Sequence, residues 1–302
     1  MPSAAAGMMA RRGRATLRRA LPAVVAIAAF CLAYEGYRRM GMATGDKWPL
    51  VGGDLPVKTN HVTLPALSDI VARFFEEQQR RSGITVAESV LAGCWYTLRI
   101  SFAGFVLGTV VGMGLAVLML RSKVIERGIL PGIIVSQTIP LLALAPIIVT
   151  WGNRIDIVDW RPWMSVSLIA TYLTFFPVAV NGIRGLRSPS EDDVELMRSY
   201  AASWSATLWK VRLPAAVPYL IPALKLSAAA SIIGSIVGEI SIGLGGGIGR
   251  LILAYAQQAA SDPPKAYCAI IGAGVLGLVF TNAVGALERL MPGHRQRARQ
   301  TA

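Results

Sequence analysis

Two histidines and three cysteines among 302 residues leave little from which to build a catalytic or metal centre. Cys31, Cys94 and Cys268 stand singly in apolar surroundings, without a C-x-x-C pair, and His61 and His294 are remote from all three. Neither a zinc site nor a disulfide framework is expected, and the thiols read as small buried side chains. Acidic residues are also scarce, 17 Asp and Glu against 30 Lys and Arg. No G-x-x-x-x-G-K-[ST] phosphate loop occurs; the glycine-rich run Gly243–Gly249 ends in Arg250. With no His or paired Asp deep in an apolar stretch, an intramembrane hydrolase lacks its nucleophile and base. No enzymatic site, cofactor or metal is therefore expected.

Apolar sequence is what the chain has in abundance. Hydrophobic residues make up 54% and the mean hydropathy is +0.51, above the range of ordinary soluble domains. A helix needs about 20 mostly apolar residues to cross the hydrocarbon core. Ala20–Tyr34, Ile100–Leu120, Gly128–Thr150, Trp163–Val180, Pro218–Ile240 and Ala266–Leu287 meet that description, which predicts an all-α polytopic membrane bundle of about six helices. Arg99 and Lys225, near the second and fifth, must snorkel or find polar partners.

The basic residues follow topology. Arg11, Arg12, Arg14, Arg18 and Arg19 precede the first stretch; Arg121, Lys123 and Arg127 separate the second from the third; Arg184, Arg187, Arg198, Lys210 and Arg212 separate the fourth from the fifth; Arg289, Arg295, Arg297 and Arg299 follow the sixth. The alternate short loops hold only Arg154 and Arg161, then Arg250 and Lys265. Basic flanks stay cytoplasmic, so both termini are expected inside a multi-pass protein of the inner or plasma membrane. Charges spread in this way do not form the aromatic-flanked patch of a nucleic-acid binder, despite the net charge of +13. No cleavage site follows Phe30, so the N-terminal arginines read as part of an uncleaved anchor.

The expected organisation is a basic cytoplasmic tail over 1–19, a first transmembrane helix over 20–37, an extracytoplasmic segment over 38–90, a permease domain over 91–287 and a basic cytoplasmic tail over 288–302. In the extracytoplasmic segment, residues 40–65 are punctuated by Gly52, Gly53, Asp54 and Pro56. Leu67–Gln79 then places Leu67, Ile70, Val71, Phe74 and Phe75 at helical spacing, an amphipathic helix on the membrane surface or on the protein itself. Gly104, Gly108 and Gly112 recur every four residues, with Gly114 beside them, as a face for close helix approach; Gly272, Gly274 and Gly277 repeat the idea.

Between the fourth and fifth stretches, residues 188–218 are too patterned for a plain connector. Ser190 is placed to cap a helix whose first turn holds Glu191, Asp192 and Asp193, where the helix dipole favours acid. Ser203 is placed to cap a second helix carrying Trp204, Leu208 and Val211 as one apolar stripe, with Lys210 and Arg212 alongside; Pro214 and Pro218 are expected to break it. Such a ridge either lies back on the bundle or docks into another protein.

This loop resembles the permease subunits of binding-protein-dependent ATP-binding-cassette importers. Their EAA motif reads E-A-A, three residues, Gly, nine residues, Ile, any residue, Leu-Pro. Aligned on Leu213–Pro214, the motif places Val211 at its Ile, Ala201 at its Gly and Glu195 at its leading Glu; Leu196 and Met197 stand for the two alanines. Alanine at the glycine position costs about 1 kcal/mol in a left-handed conformation, so a looser turn is expected. The sulfonate, taurine and nitrate branch is similar further out, at Thr97-Leu98-Arg99, at Ile139–Pro140 with Ala145–Pro146, and at Gly238–Glu239 with Gly243-Leu244-Gly245. The resemblance implies a permease homodimer or heterodimer, two cytoplasmic ATPase subunits that bind the ATP and grip the loop, and a periplasmic or lipid-anchored solute-binding protein.

For the translocation path or gate the candidates are Arg99, facing a cavity or snorkelling to headgroups; Pro140 and Pro146, hinging a helix or lining a pore; and Glu239, a helix-end or gate contact. A secondary transporter or channel is the rival reading. It calls for paired intramembrane acids or an inverted repeat, and Glu239 is nearly alone.

Overall fold

The computed structural model describes residues 3–47, 53–79, 81, 83–152, 154 and 159–290, with side chains described within 22–286. Gly52, the side chains of the N-terminal arginines and of Arg289, and the C-terminal residues from 291 on, with His294, Arg295, Arg297 and Arg299, lie outside the described residues. The chain divides into two compact units, Met1–Glu76 with Ala256–Cys268 and Glu77–Tyr255 with Ala269–Ala302. No strand occurs among the described residues.

The first unit is built on α1 (Ser3–Thr44) and α2 (Leu67–Phe75). Past the expected first span, α1 runs on as helix because its polar residues find partners in the returning chain. Arg38 is buried, donates Nε–H to the Leu64 carbonyl at 3.0 Å and pairs with Glu35 at 3.3 Å. Tyr34 and Tyr37 donate their hydroxyls to the carbonyls of Pro65 and Val57. Gly41 lets Thr59 and Leu55 close on the helix, where a Cβ would collide with both. Beyond it Asp46, at φ +63°, accepts bonds from the Thr59 backbone N–H at 2.8 Å and hydroxyl at 2.6 Å, which hold its carboxyl below the usual range. The expected helix over Leu67–Gln79 ends four residues early, at Phe75, because Glu76 turns extended and Glu77 pairs with Thr85. On α2, Ile70 is buried and Val71 and Phe75 are exposed. Arg73 grips Asp262 with two nitrogens, Nε at 2.9 Å and Nη2 at 2.7 Å, which raises the guanidinium pKa further.

The second unit holds the bundle. Its helices are α3 (Val86–Arg121), α4 (Lys123–Ser136), α5 (Leu141–Gly152), α6 (Pro162–Leu186), α7 (Glu191–Ser199), α8 (Trp204–Thr207), a π turn over Leu208–Arg212, α9 (Leu213–Ile242) and α10 (Ile248–Gln257); α11 (Pro263–Leu290) joins it from Ala269. A reciprocal capping box, Thr85 with Glu88, starts α3. Helix α6 lies between α3 and α9, and small residues set the approach. Gly104, Gly108 and Gly112 face Ala170, Thr174 and Phe175–Val178 of α6, whereas Gly114 faces open space. The close approach lets Thr171 reach the Gly104 carbonyl at 3.2 Å and Ser167 that of Ile100 at 3.3 Å; Thr174 and Ser227 exchange bonds with each other's carbonyls across α6 and α9. Of the three α11 glycines singled out, Gly272 repeats the device, against Val90. Gly274 and Gly277 meet nothing, because they fall on another face of the helix, and Phe280 instead packs edge-on against Phe102 and Phe105.

Among the described residues four helical runs, α3, α6, Trp204–Ile242 and Pro263–Ala286, are long and apolar enough to cross a membrane. Helices α4 and α5 form a fifth if taken together, but they meet at 105°. The expected span over Gly128–Thr150 is thus two helices rather than one. Pro140 stands in the break, where it denies an N–H and pushes Ile139 out of helical geometry, while Pro146 lies inside α5. The first expected span, Ala20–Tyr34, falls inside α1, where Val24, Val25, Ile27, Phe30 and Leu32 are exposed.

Candidate functional site

The 188–218 loop is two capped helices, as its serines predict. Ser190 accepts from the Asp193 N–H at 3.1 Å to open α7, and Ser203 accepts from the Ala206 N–H at 3.2 Å to open α8. Ala201 at φ +52° makes the turn between them, with its own N–H bonded to the Arg198 carbonyl at 2.8 Å and the Ala202 N–H to that of Met197 at 3.0 Å. This is a Schellman closure with alanine where glycine is usual. The looser turn expected from the alanine is not found; the chain keeps the tight geometry and bears the left-handed strain, because both bonds are lost otherwise.

The second helix departs from expectation. Pro214 and Pro218 do not break it: helix runs from Trp204 to Ile242 through the π turn. In that turn the Leu213 N–H bonds to the Leu208 carbonyl, five residues back, so Pro214 enters in the first turn of α9, where a missing N–H is tolerated. The extra residue also breaks the stripe. Leu208 is 6% exposed and belongs to a core with Met119, Ile183 and Leu186, and Val211 and Leu213 are half-buried. Trp204 is partly exposed, with the Arg121 guanidinium 5.4 Å from its ring centroid. Trp209, which the even spacing passed over, stands out at 70% exposed.

No residue of α7 is buried. Leu196 and Tyr200, one turn apart, are exposed apolar side chains, and Glu195, Ser203 and Lys210 are exposed around them. The solvent-facing surface is therefore Leu196, Tyr200, Trp204 and Trp209, and Leu208 anchors it from behind. A reading that let the helix period slip by one residue at Leu213–Pro214 would have found Trp209.

At the far end of α9, Glu239 is fully buried. Its Oε1 accepts from the Thr97 hydroxyl at 2.6 Å and its Oε2 from the Gly249 N–H at 2.8 Å, and Thr97 Oγ1 accepts from the Ile248 N–H at 2.9 Å. Three elements, α3, α9 and the start of α10, meet on one carboxylate. Both oxygens face donors, so neither is left unpaired. A Cβ at Gly247 would strike the carboxyl group, and Gly243, at φ +71°, ends α9 so that the loop can return. The first N–H groups of α10 are thereby consumed. Thr97, quoted in sequence only as part of Thr97-Leu98-Arg99, is the partner of Glu239 that residue order did not assign.

The other path candidates are not brought together with Glu239. Arg99 lies well inside α3, is exposed, and stacks on Trp95 at 5.4 Å. No His, Cys, Asp or Glu group among the described residues is placed to hold a metal ion.

Comparison with known proteins agrees with this architecture. Residues 104–292 match the family of the binding-protein-dependent transport system inner membrane component. The formylaminopyrimidine transport permease protein ThiX of Halalkalibacterium halodurans is 30% identical over 195 residues, 65% of this chain and 74% of its own. The putative aliphatic sulfonates transport permease protein SsuC of Bacillus subtilis is 29% identical over 211 residues, 68% and 73% of the two chains. The nitrate import permease protein NrtB of Synechocystis is 28% identical, over 62% of this chain and 65% of its own. A crystal structure of an amino acid ABC transporter with histidines shares the fold at a TM-score of 0.52 and 19% identity, covering 68% of this chain and 95% of that one. Since the family match takes in the glycine stripe of α3, the 188–218 loop and the buried carboxylate alike, the chain belongs to the binding-protein-dependent inner membrane components and is a multi-pass permease of an ABC importer, not an enzyme.

Proposed function

We propose that the chain forms, as a homodimer or heterodimer, the path for a small anion of the sulfonate or nitrate type, delivered by a solute-binding protein and driven by a separate ATPase that binds the ATP. The termini and the 188–218 loop face the cytoplasm in this reading, as the arginine distribution requires. The observation that carries it is the outward face of the loop: Tyr200 at 78% and Trp209 at 70% exposed, with Leu196 and Trp204 beside them, on helices closed by serine caps and a tight turn. A rigid apolar ridge whose Tyr200 and Trp209 are left largely uncovered by their own chain suits a cleft in a partner, and aromatic anchors carry most of the binding energy of such contacts. Leu208, packed in the bundle core, ties the ridge to α9, so a push on the ridge moves the helix through the π turn.

The relatives named for aliphatic sulfonates and nitrate support an anion. The relative named for formylaminopyrimidine supports a second reading, a small organic compound on the same path. At the opposite end of α9, Glu239 serves as a gate support: it holds the Gly243–Gly247 loop and α10 to α3.

Co-purification with the ATPase tests the assignment. Trp209→Ala combined with Lys210→Glu should lose the ATPase while the variant's melting profile stays that of the parent. An intact complex with normal uptake would refute it. Uptake by the reconstituted chain without any ATPase would favour a secondary transporter or channel instead.

A further inference from the structure

Where the loop meets the bundle, two adjoining concavities differ in character. One is a groove of about 460 Å³ between α4 and α6, walled by Leu130, Ile134, Phe176, Val180 and Ile183. The other is a basin of about 720 Å³ at the end of α3, under α7. Arg187 lines both.

The basin is strongly cationic. Arg121, Lys123, Arg187, Arg198 and Arg212 line it against only Glu191 and Glu195. Arg187 is taken by Glu126, Nη1 to Oε1 at 2.7 Å and Nη2 to Oε2 at 2.5 Å, and Arg121 by the Trp204 ring. Arg212 donates to the Leu186 carbonyl at 2.9 Å and has Arg187 and Arg198 as like-charged neighbours. Lys123 and Arg198 make no ion pair among the described residues; neither does Arg184, at the mouth of the groove. Lys123 and Arg198 in the basin and Arg184 in the adjoining groove are like charges that repel each other unless an anion sits where the two concavities meet at Arg187.

We propose that this double concavity seats one anionic phospholipid, its phosphate among Lys123, Arg184 and Arg198 and an acyl chain along the α4–α6 groove. An acidic face of the ATPase would satisfy the basin but leave the groove empty, and a free inorganic anion likewise. A molecule with a charged head on a hydrocarbon tail satisfies both, and basic pockets between membrane helices are known to take such headgroups. The inference rests on the membrane placement of the family and on these two surfaces, not on the docking of the 188–218 ridge. Because the basin runs under α7, an occupied site would brace the loop against the bundle.

The test reconstitutes the full chain, with whatever partners purify with it, in vesicles of equal phosphatidylglycerol and phosphatidylcholine, and reads retained lipid by native mass spectrometry. The parent should retain phosphatidylglycerol in preference. Arg184→Gln with Lys123→Gln should lower that retention on the order of fivefold per cation removed. Val180→Trp, which fills the groove and changes no charge, should lower retention of the same lipid, with a parental melting profile in both variants showing that the bundle is intact. Equal retention of the two lipids by the parent, or parental retention in both variants, overturns the proposal. So does loss of the lipid once the ATPase or a second copy is bound, which would assign the surface to that protein.

Discussion

Replacing Gly108 by alanine tests whether the α3–α6 contact is set by atomic contact rather than by general apolarity. The new Cβ would lie 2.5 Å from Thr174 Cβ, 2.7 Å from Thr174 Cγ2 and 2.9 Å from the Thr171 carbonyl oxygen. Ordinary carbon contacts begin near 3.5 Å, so the helices must part by roughly 1 Å. Thr174 cannot swing aside freely, because its hydroxyl and carbonyl are engaged with Ser227 on α9. Overpacking of this kind costs about 1–3 kcal/mol. Parting the helices also stretches the Thr171–Gly104 hydrogen bond, worth roughly 1 kcal/mol. A loss of roughly 2–4 kcal/mol is therefore expected for Gly108→Ala. Gly114→Ala, six residues on in the same helix but facing open space, should cost nothing and improve the helix slightly. Thermal unfolding of the purified complex, followed by tryptophan fluorescence, compares the two. If Gly108→Ala melts with Gly114→Ala, the glycine stripe does not set the helix distance and the packing argument fails.

Ala201→Gly should relieve the left-handed strain at φ +52°, a gain of about 1 kcal/mol less part of glycine's greater unfolded-state entropy. It should slow hydrogen exchange at the Ala202 amide, and faster exchange would contradict the Schellman geometry. Glu239→Gln keeps the shape but turns an amide N–H₂ toward either Gly249 N–H or Thr97, leaving a buried donor unmatched at roughly 1–3 kcal/mol. Its melting loss and that of Thr97→Val should be markedly less than additive in the double variant, since both act on one network. Full additivity would separate the two residues.

Much of the chain could be read from residue order. Apolar runs of lipid-crossing length, the arginine distribution, the caps at Ser190 and Ser203, and the spacing from Glu195 to Leu213–Pro214 are local or periodic signals. They survive without knowledge of neighbours, because the bilayer and the helix period impose them wherever the chain lies. The glycine repeat of α3 was legible for the same reason, whereas Gly274 and Gly277 were not separable from Gly272, since a glycine reports its purpose only through what stands opposite.

The errors share one cause. At Leu213–Pro214 the chain had two ways to accept a missing N–H, to stop the helix or to shift its bonding by one residue. The second wins because Leu208 then packs among Met119, Ile183 and Leu186. That choice exposed Trp209 and buried part of the expected stripe. At Pro140, a proline already expected to hinge a helix or line a pore, the other outcome prevailed, a 105° bend just after the polar Ser136-Gln137-Thr138. Sequence alone determined that this is a helical membrane permease with a structured loop between its fourth and fifth apolar stretches, because hydrophobic length and charge act on each segment independently. Only the tertiary structure decided which side chains of that loop face outward and that Glu239 joins Thr97 to α10, because those outcomes depend on contacts between residues as far as 151 positions apart.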